Sequence, residues 1–134
     1  MADWLKMIGT WERPWDRDQP YDRAHVGFRG RWPRAIASGD RMILYAVRWQ
    51  TVFAVVDVTS DPYACDEADW PYRVDIAWPP QVNVAPANGV EVRELIPDLT
   101  DRVRRNSYIR LTPEEFQLLE TELQDAWNRL AAIL

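Results

Sequence analysis

Two apolar runs with a tight return between them constrain this chain more than any other feature. Ser38-Gly39-Asp40 leads into Arg41-Met42-Ile43-Leu44-Tyr45-Ala46-Val47, and Thr51-Val52-Phe53-Ala54-Val55-Val56-Asp57-Val58-Thr59 follows the corner at Trp49-Gln50. Successive apolar positions leave neither face of either strand fit for water, so both faces need covering. The pattern predicts the central hairpin, over 41–59, of a small closed β-barrel. At 134 residues the chain suffices for one domain with a sizeable core, and not for two.

The rest of the chain reads outward from that hairpin. Trp4 to Ile8 is a first strand ending at Gly9. Pro14, Pro20 and Pro33 break any long helix over 10–35, which reads as loop with one short helical turn near Pro33–Ile36. Asp61-Pro62 closes the hairpin, and Tyr63 to Pro71 form an acidic loop. Tyr72 to Trp78 alternates in polarity and reads as a strand with one wet face, stopped by Pro79-Pro80. Asn88-Gly89 marks a turn, Val92 to Ile96 a short element, and Asp98 to Arg105 a short helix before a last strand at Tyr108–Leu111. Thr112-Pro113-Glu114-Glu115 has the side-chain cap, the proline and the glutamate of a capping box, so a helix runs over about 112–133. Phe116, Leu119, Leu123, Trp127, Leu130 and Leu134 recur along one face of it. The fold class is therefore α+β, mainly β, in a single domain over 1–134.

Charge and composition narrow the function. A net charge of −5 argues against coating a duplex by charge alone. The charge is unevenly spread: residues 1–50 hold nine basic against six acidic groups, and 51–100 hold two against nine. Arg102, Arg104, Arg105 and Arg110 against Asp101 make 101–110 basic again. Lys6 is the only lysine among 16 basic residues, and arginine suits stacking on bases and bidentate phosphate contact. Some of the eight tryptophans must anchor the core, but Trp11, Trp15 and Trp32 sit in polar, loop-like company and are harder to assign to packing.

Catalytic machinery is hard to find. His25 reads as a loop histidine, and Cys65 lies in acidic surroundings that oppose a thiolate. Ser38 and Ser60 lack the glycines of a nucleophile elbow, and Gly27-Phe28-Arg29-Gly30 is a weak phosphate loop. One histidine and one cysteine give a conventional zinc site almost nothing to use. The expectation is no metal, no cofactor, no internal disulfide, no membrane span, and a cytoplasmic protein.

Several segments also occur in a familiar order. They are Trp4-Leu5, Gly39-Asp40-Arg41, Phe53 to Val58 with Asp61-Pro62-Tyr63, Trp70-Pro71-Tyr72-Arg73-Val74, and Arg105-Asn106-Ser107-Tyr108-Ile109-Arg110-Leu111 before Thr112-Pro113-Glu114-Glu115. Over residues 3 to about 120 the chain resembles EVE domains of the PUA-like superfamily, relatives of the YTH and ASCH domains. The resemblance implies a pseudo-barrel of about five to six strands with flanking short helices and a C-terminal amphipathic helix. It implies a non-catalytic nucleic-acid reader, of DNA or RNA, whose pocket receives a flipped and often modified base.

A flipped base needs aromatic walls and a few donors at its edge. Candidate walls are Trp11, Trp15, Trp32 and Tyr45; candidate phosphate or base-edge contacts are Arg29, Arg31, Arg105, Asn106 and Ser107. Tyr45 matches the aromatic after the Gly-Asp turn, and Ser107 a serine of the family's late Arg-x-Ser segment. The chain departs from the family where Gly9-Thr10-Trp11-Glu12-Arg13-Pro14 replaces a Ser-Glu-Pro-like segment, and Gly30-Arg31-Trp32-Pro33 an Asn-Tyr loop. Two alternatives stand beside the reader. One is an ASCH-like hydrolase of a modified nucleoside, which would use Lys6. The other is a protein-interaction or homodimerisation domain using the apolar tail of the C-terminal helix.

Overall fold

In the computed structural model, which describes residues 1–104 and 106–133, the apolar hairpin becomes β3 (Arg41–Ala46) and β4 (Thr51–Asp57). The two pair antiparallel, with a register shift between Leu44 and Tyr45. β1 (Asp3–Ile8) runs parallel to β3 on the hairpin's other side, and β9 (Tyr108–Leu111) runs antiparallel to β1. β7 (Val82–Asn83) and β8 (Val90–Glu91) both pair with β4. The larger sheet is therefore ordered β7-β4-β3-β1-β9, and the most apolar strands occupy its middle.

A second sheet, β2-β6-β5, is built from β2 (His25–Phe28), β5 (Tyr63–Ala64) and β6 (Tyr72–Asp75). A bridge between Val58 and Ile76 joins the two sheets, so they meet along that edge in place of one continuous ring of strands. Val26, Phe28 and Val74 belong to the same buried cluster as Leu5, Ile43 and Phe53. The fold is α+β and mainly β.

Both sides of the hairpin are covered as its sequence demands. α2 (Pro113–Ile133) packs across β1, β4, β7, β8 and β9, and it buries Phe116, Leu119 and Leu123 there. Trp127 and Leu130 pack half-buried on the same core, while Leu134 lies outside the described residues. The capping box forms in full: Glu115 N donates to Thr112 Oγ1 at 3.1 Å, and Thr112 N donates to a Glu115 carboxylate oxygen at 2.9 Å. Arg102, on the short helix α1 (Leu99–Val103), clamps Glu115 and fixes α1 to the start of α2.

The Gly-Asp turn also has a structural task. Asp40 accepts hydrogen bonds from the Ala2 and Ala37 amides and from the Trp4 indole, at 2.9, 3.0 and 2.9 Å. Burial alone would raise this carboxyl, and those donors outweigh it, so Asp40 stays below the usual carboxylate range.

Departures from the sequence reading concern weak local signals. His25–Phe28 lies in the stretch read as loop, yet it forms β2 by pairing with β6. Tyr63–Ala64, read as part of the acidic loop, forms β5. The short turn read at Pro33–Ile36 does form, with Ile36 N on Pro33 O at 3.1 Å. Val92–Ile96 is likewise a turn, and the strand pairing falls just before it at Val90–Glu91.

Candidate functional site

Where β1 ends, the chain turns away from the sheet and opens a cleft. Gly9 takes a φ of +76°, and a Cβ there would lie 2.7 Å from the Trp15 amide nitrogen. A side chain is thus excluded twice, by backbone conformation and by contact. Gly9 bridges Pro14, and the Arg13 amide donates to Thr10 Oγ1 at 2.9 Å, folding 9–15 into a compact flap.

The cleft has two lobes. The first, about 610 Å³, is lined by Trp11, Tyr45 and Trp70 together with Arg29, Arg48, Arg104, Gln50, Asn106 and Ser107. Among the described residues no aspartate or glutamate lines it, on a chain with 21 acidic residues against 16 basic ones. The second lobe, about 550 Å³, is lined by Trp15, Arg13, Arg23, His25 and Arg73, with Glu12, Glu67 and Asp69 among them. Lys6, Met7, Gly9, Thr10, Arg29 and Trp70 border both lobes.

Arginines face the aromatic rings around the cleft. Arg29 stands 5.2 Å from the Trp70 ring centre, Arg48 5.7 Å from Trp11, and Arg23 5.3 Å from Trp15. Trp11 is 59% exposed, Trp70 is half-buried, and Tyr45 is nearly enclosed. Burial pushes the Tyr45 phenol up, so it stays a neutral donor. Two residues of the β3–β4 turn that line the first lobe, Arg48 at φ 81° and Gln50 at φ 59°, hold left-handed backbone. Such conformations cost non-glycine residues on the order of 1–2 kcal/mol each, and they cluster at ligand sites.

Lys6 sits at the junction of the lobes. Its Nζ donates to the Met7 carbonyl at 2.7 Å and lies 4.7 Å from the Phe28 ring centre and 5.6 Å from that of Trp70. With 1% of its surface exposed, desolvation pulls its ammonium down to about 7. The second-lobe imidazole of His25 is also held below its ordinary value, first by burial and then by the charges of Arg73 and Arg23.

Five of the residues singled out in the sequence converge on the first lobe: Trp11, Arg29, Tyr45, Asn106 and Ser107. Ser107 is brought there because its carbonyl accepts from the Met7 amide at 3.0 Å, continuing the β1–β9 ladder. Asn106 Nδ2 donates to the Arg102 carbonyl at 2.9 Å. Trp15 lines the second lobe instead, packed on Tyr21 at 5.0 Å, with its indole N–H on the Gln19 carbonyl. Trp32 and Arg31 line neither lobe: Trp32 packs edge-on against Tyr72 at 5.2 Å, and Arg31 is solvent-exposed. Arg105 lies outside the described residues.

The principal wall missed by sequence reasoning is Trp70. It sits in the acidic loop, and only the β2–β6 pairing swings it over Gly27, where an added Cβ would meet the Trp70 side chain at 3.2 Å. Among the described residues no group of three or more His, Cys, Asp or Glu could hold a metal ion. No described helix is long and apolar enough to cross a membrane.

No family model and no curated protein matches the sequence. Solved structures of similar fold do exist. A Rhodopseudomonas palustris protein solved by NMR shares 17% identity at a TM-score of 0.55, over 92% of this chain and 94% of its own. An Agrobacterium tumefaciens crystal structure shares 16% at a TM-score of 0.55, over 91% and 93%. A hypothetical protein from Leishmania major shares 14% at a TM-score of 0.57, over 93% and 96%. Identities this low carry the fold alone.

Proposed function

We propose that this chain is a non-catalytic nucleic-acid-binding module whose first lobe receives one unstacked, modified base. One observation carries the reading: on a protein of net charge −5, a lobe of about 610 Å³ combines Trp11, Tyr45 and Trp70 with Arg29, Arg48 and Arg104, and holds no carboxylate. That volume lies within the range of small-molecule sites, about 300–1,000 Å³. The absence of carboxylates suits a ligand that brings phosphate with it.

Magnitudes favour a single strand. Extracting a base from a duplex costs a few kcal/mol, and one aromatic stack returns about 1–3 kcal/mol. An already unpaired base spares that cost. A buried methyl adds about 0.8 kcal/mol, or roughly fourfold in affinity, so discrimination by a methyl alone is modest and measurable. Resemblance to EVE domains points the same way, through Tyr45 and Ser107 at the first lobe.

The test is a panel of short single strands carrying methylated or hydroxymethylated cytosine, or methylated adenine, against plain counterparts. At least one modified strand is expected to bind several-fold more tightly, with Trp70→Ala weakening it and Trp32→Ala leaving it unchanged. Equal affinity for every modified and plain strand would overturn the reading.

Lys6 supports a second reading. An amine with a pKa of about 7 between the lobes has the protonation balance of a general base, as a hydrolase of modified nucleosides would need. Its hydrogen bond goes to a backbone carbonyl, with no carboxylate partner to orient it, so the reader is preferred. Release of acyl groups from acylated nucleosides, lost in Lys6→Met, would reverse that preference.

A further inference from the structure

We propose that the second lobe seats the nucleotide adjacent to the unstacked one, so that the unit recognised is a dinucleotide with its linking phosphate at Arg29. The inference rests on the reader proposed above. Six residues border both lobes, so the two are immediate neighbours, divided only by side chains that both share. Arg29 is the exposed cation among those six, stacked on Trp70 at the divide, where a linking phosphate would meet it.

The second lobe carries its own aromatic platform. Trp15 is packed behind by Tyr21 and Phe53 and paired with Arg23 at 5.3 Å, the arrangement seen for Arg29 on Trp70 and Arg48 on Trp11. Successive bases of a single strand stack on successive platforms of this kind, largely irrespective of sequence.

The two lobes differ in acceptors. Glu12, Glu67 and Asp69 border the second, whereas no carboxylate borders the first. Glu67 is engaged by Arg73 at 2.9 Å, which leaves Glu12 and Asp69 to accept a hydrogen bond. Carboxylates accept from exocyclic amino groups and repel the carbonyl edges of thymine and uracil. The neighbour selected is therefore an amino-bearing base, cytosine or a purine.

The test compares mononucleotides with dinucleotides by calorimetry, in separate series built on C5-methylcytosine, C5-hydroxymethylcytosine and N6-methyladenine. A cytosine or thymine is added on either side of the modified base. In at least one series and on one side, the cytosine neighbour is expected to tighten binding at least about tenfold over the mononucleotide, and thymine to give much less. Arg23→Ala should remove the gain, and Glu12→Gln with Asp69→Asn should erase the preference for cytosine. Mononucleotide affinity should stay within about twofold in both variants, since these exposed side chains border the second lobe alone. Mononucleotide binding with no gain from any neighbour overturns this inference while leaving the reader intact. Binding of neither ligand overturns the reader, and the dinucleotide with it.

Discussion

Lys6 is the residue whose environment departs furthest from the ordinary. Its folded pKa of about 7 lies below the unfolded value of 10.5, so between those limits the unfolded chain binds a proton that the native one does not. Stability must then rise with pH through that window, and below about 7 the full penalty of burying the cation is present. Against Lys6→Met, the native chain should gain about 2–3 kcal/mol between roughly pH 7.5 and 9.5, read from urea midpoints. Parallel pH profiles would show that Lys6 is not desolvated. The turn residue Arg48 makes the opposite compromise. Arg48→Gly relieves left-handed strain at φ 81° and should stabilise the fold by up to about 1 kcal/mol, while removing the cation beside Trp11 and weakening strand binding. Residue types foretold neither feature. Lys6 stands out as the lone lysine that a hydrolase would use, but nothing beside it in sequence announces its burial. Nothing local announces that Arg48 and Gln50 will turn left-handed.

Elements were legible in proportion to how local their signals are. The hairpin and α2 follow from apolar runs and a capping box, all within a few residues of each other, and both form as read. β2 does not follow. Val26-Gly27-Phe28 sits in a stretch rich in arginine and proline, and its hydrogen bonds come from β6, about 45 residues later in the chain. The contribution of α2 is open to a two-part test by thermal unfolding. Thr112→Ala removes half of the capping box and should cost about 1 kcal/mol. Leu119→Ala, at a fully buried position, should cost about 2–5 kcal/mol. Equal losses from the two variants would mean that α2 is held by its cap and not by the face it buries.

At the scale of the whole molecule, the cleft is a product of topology. The parallel pairing of β1 with β3, and the β9 edge beyond it, set Met7, Tyr45 and Ser107 side by side from three distant parts of the chain. Trp11 and Arg29 could be nominated from sequence because loop aromatics and arginines are conspicuous, and Tyr45 through the resemblance to EVE domains. Trp32 was equally conspicuous, and it packs on Tyr72 outside the cleft, because company in sequence does not determine direction in space. The charge partition is likewise a property of the whole fold, which gathers cations at one cleft of an acidic protein. If Arg29, Arg48 and Arg104 each neutralise a phosphate, affinity for a single strand should fall with salt at a logarithmic slope of about −2, and Arg104→Ala should reduce that slope by about 0.7. A slope near zero would remove the phosphate contacts from the account. The most direct test of the cleft itself is backbone amide shift mapping by NMR, during titration with a methylated single strand and its plain counterpart. The expected result is that the largest changes fall at Gly9, Thr10, Arg29, Trp70 and Ser107, and are stronger for the methylated strand. Changes centred on Trp32 or α2, or identical for both strands, would contradict it.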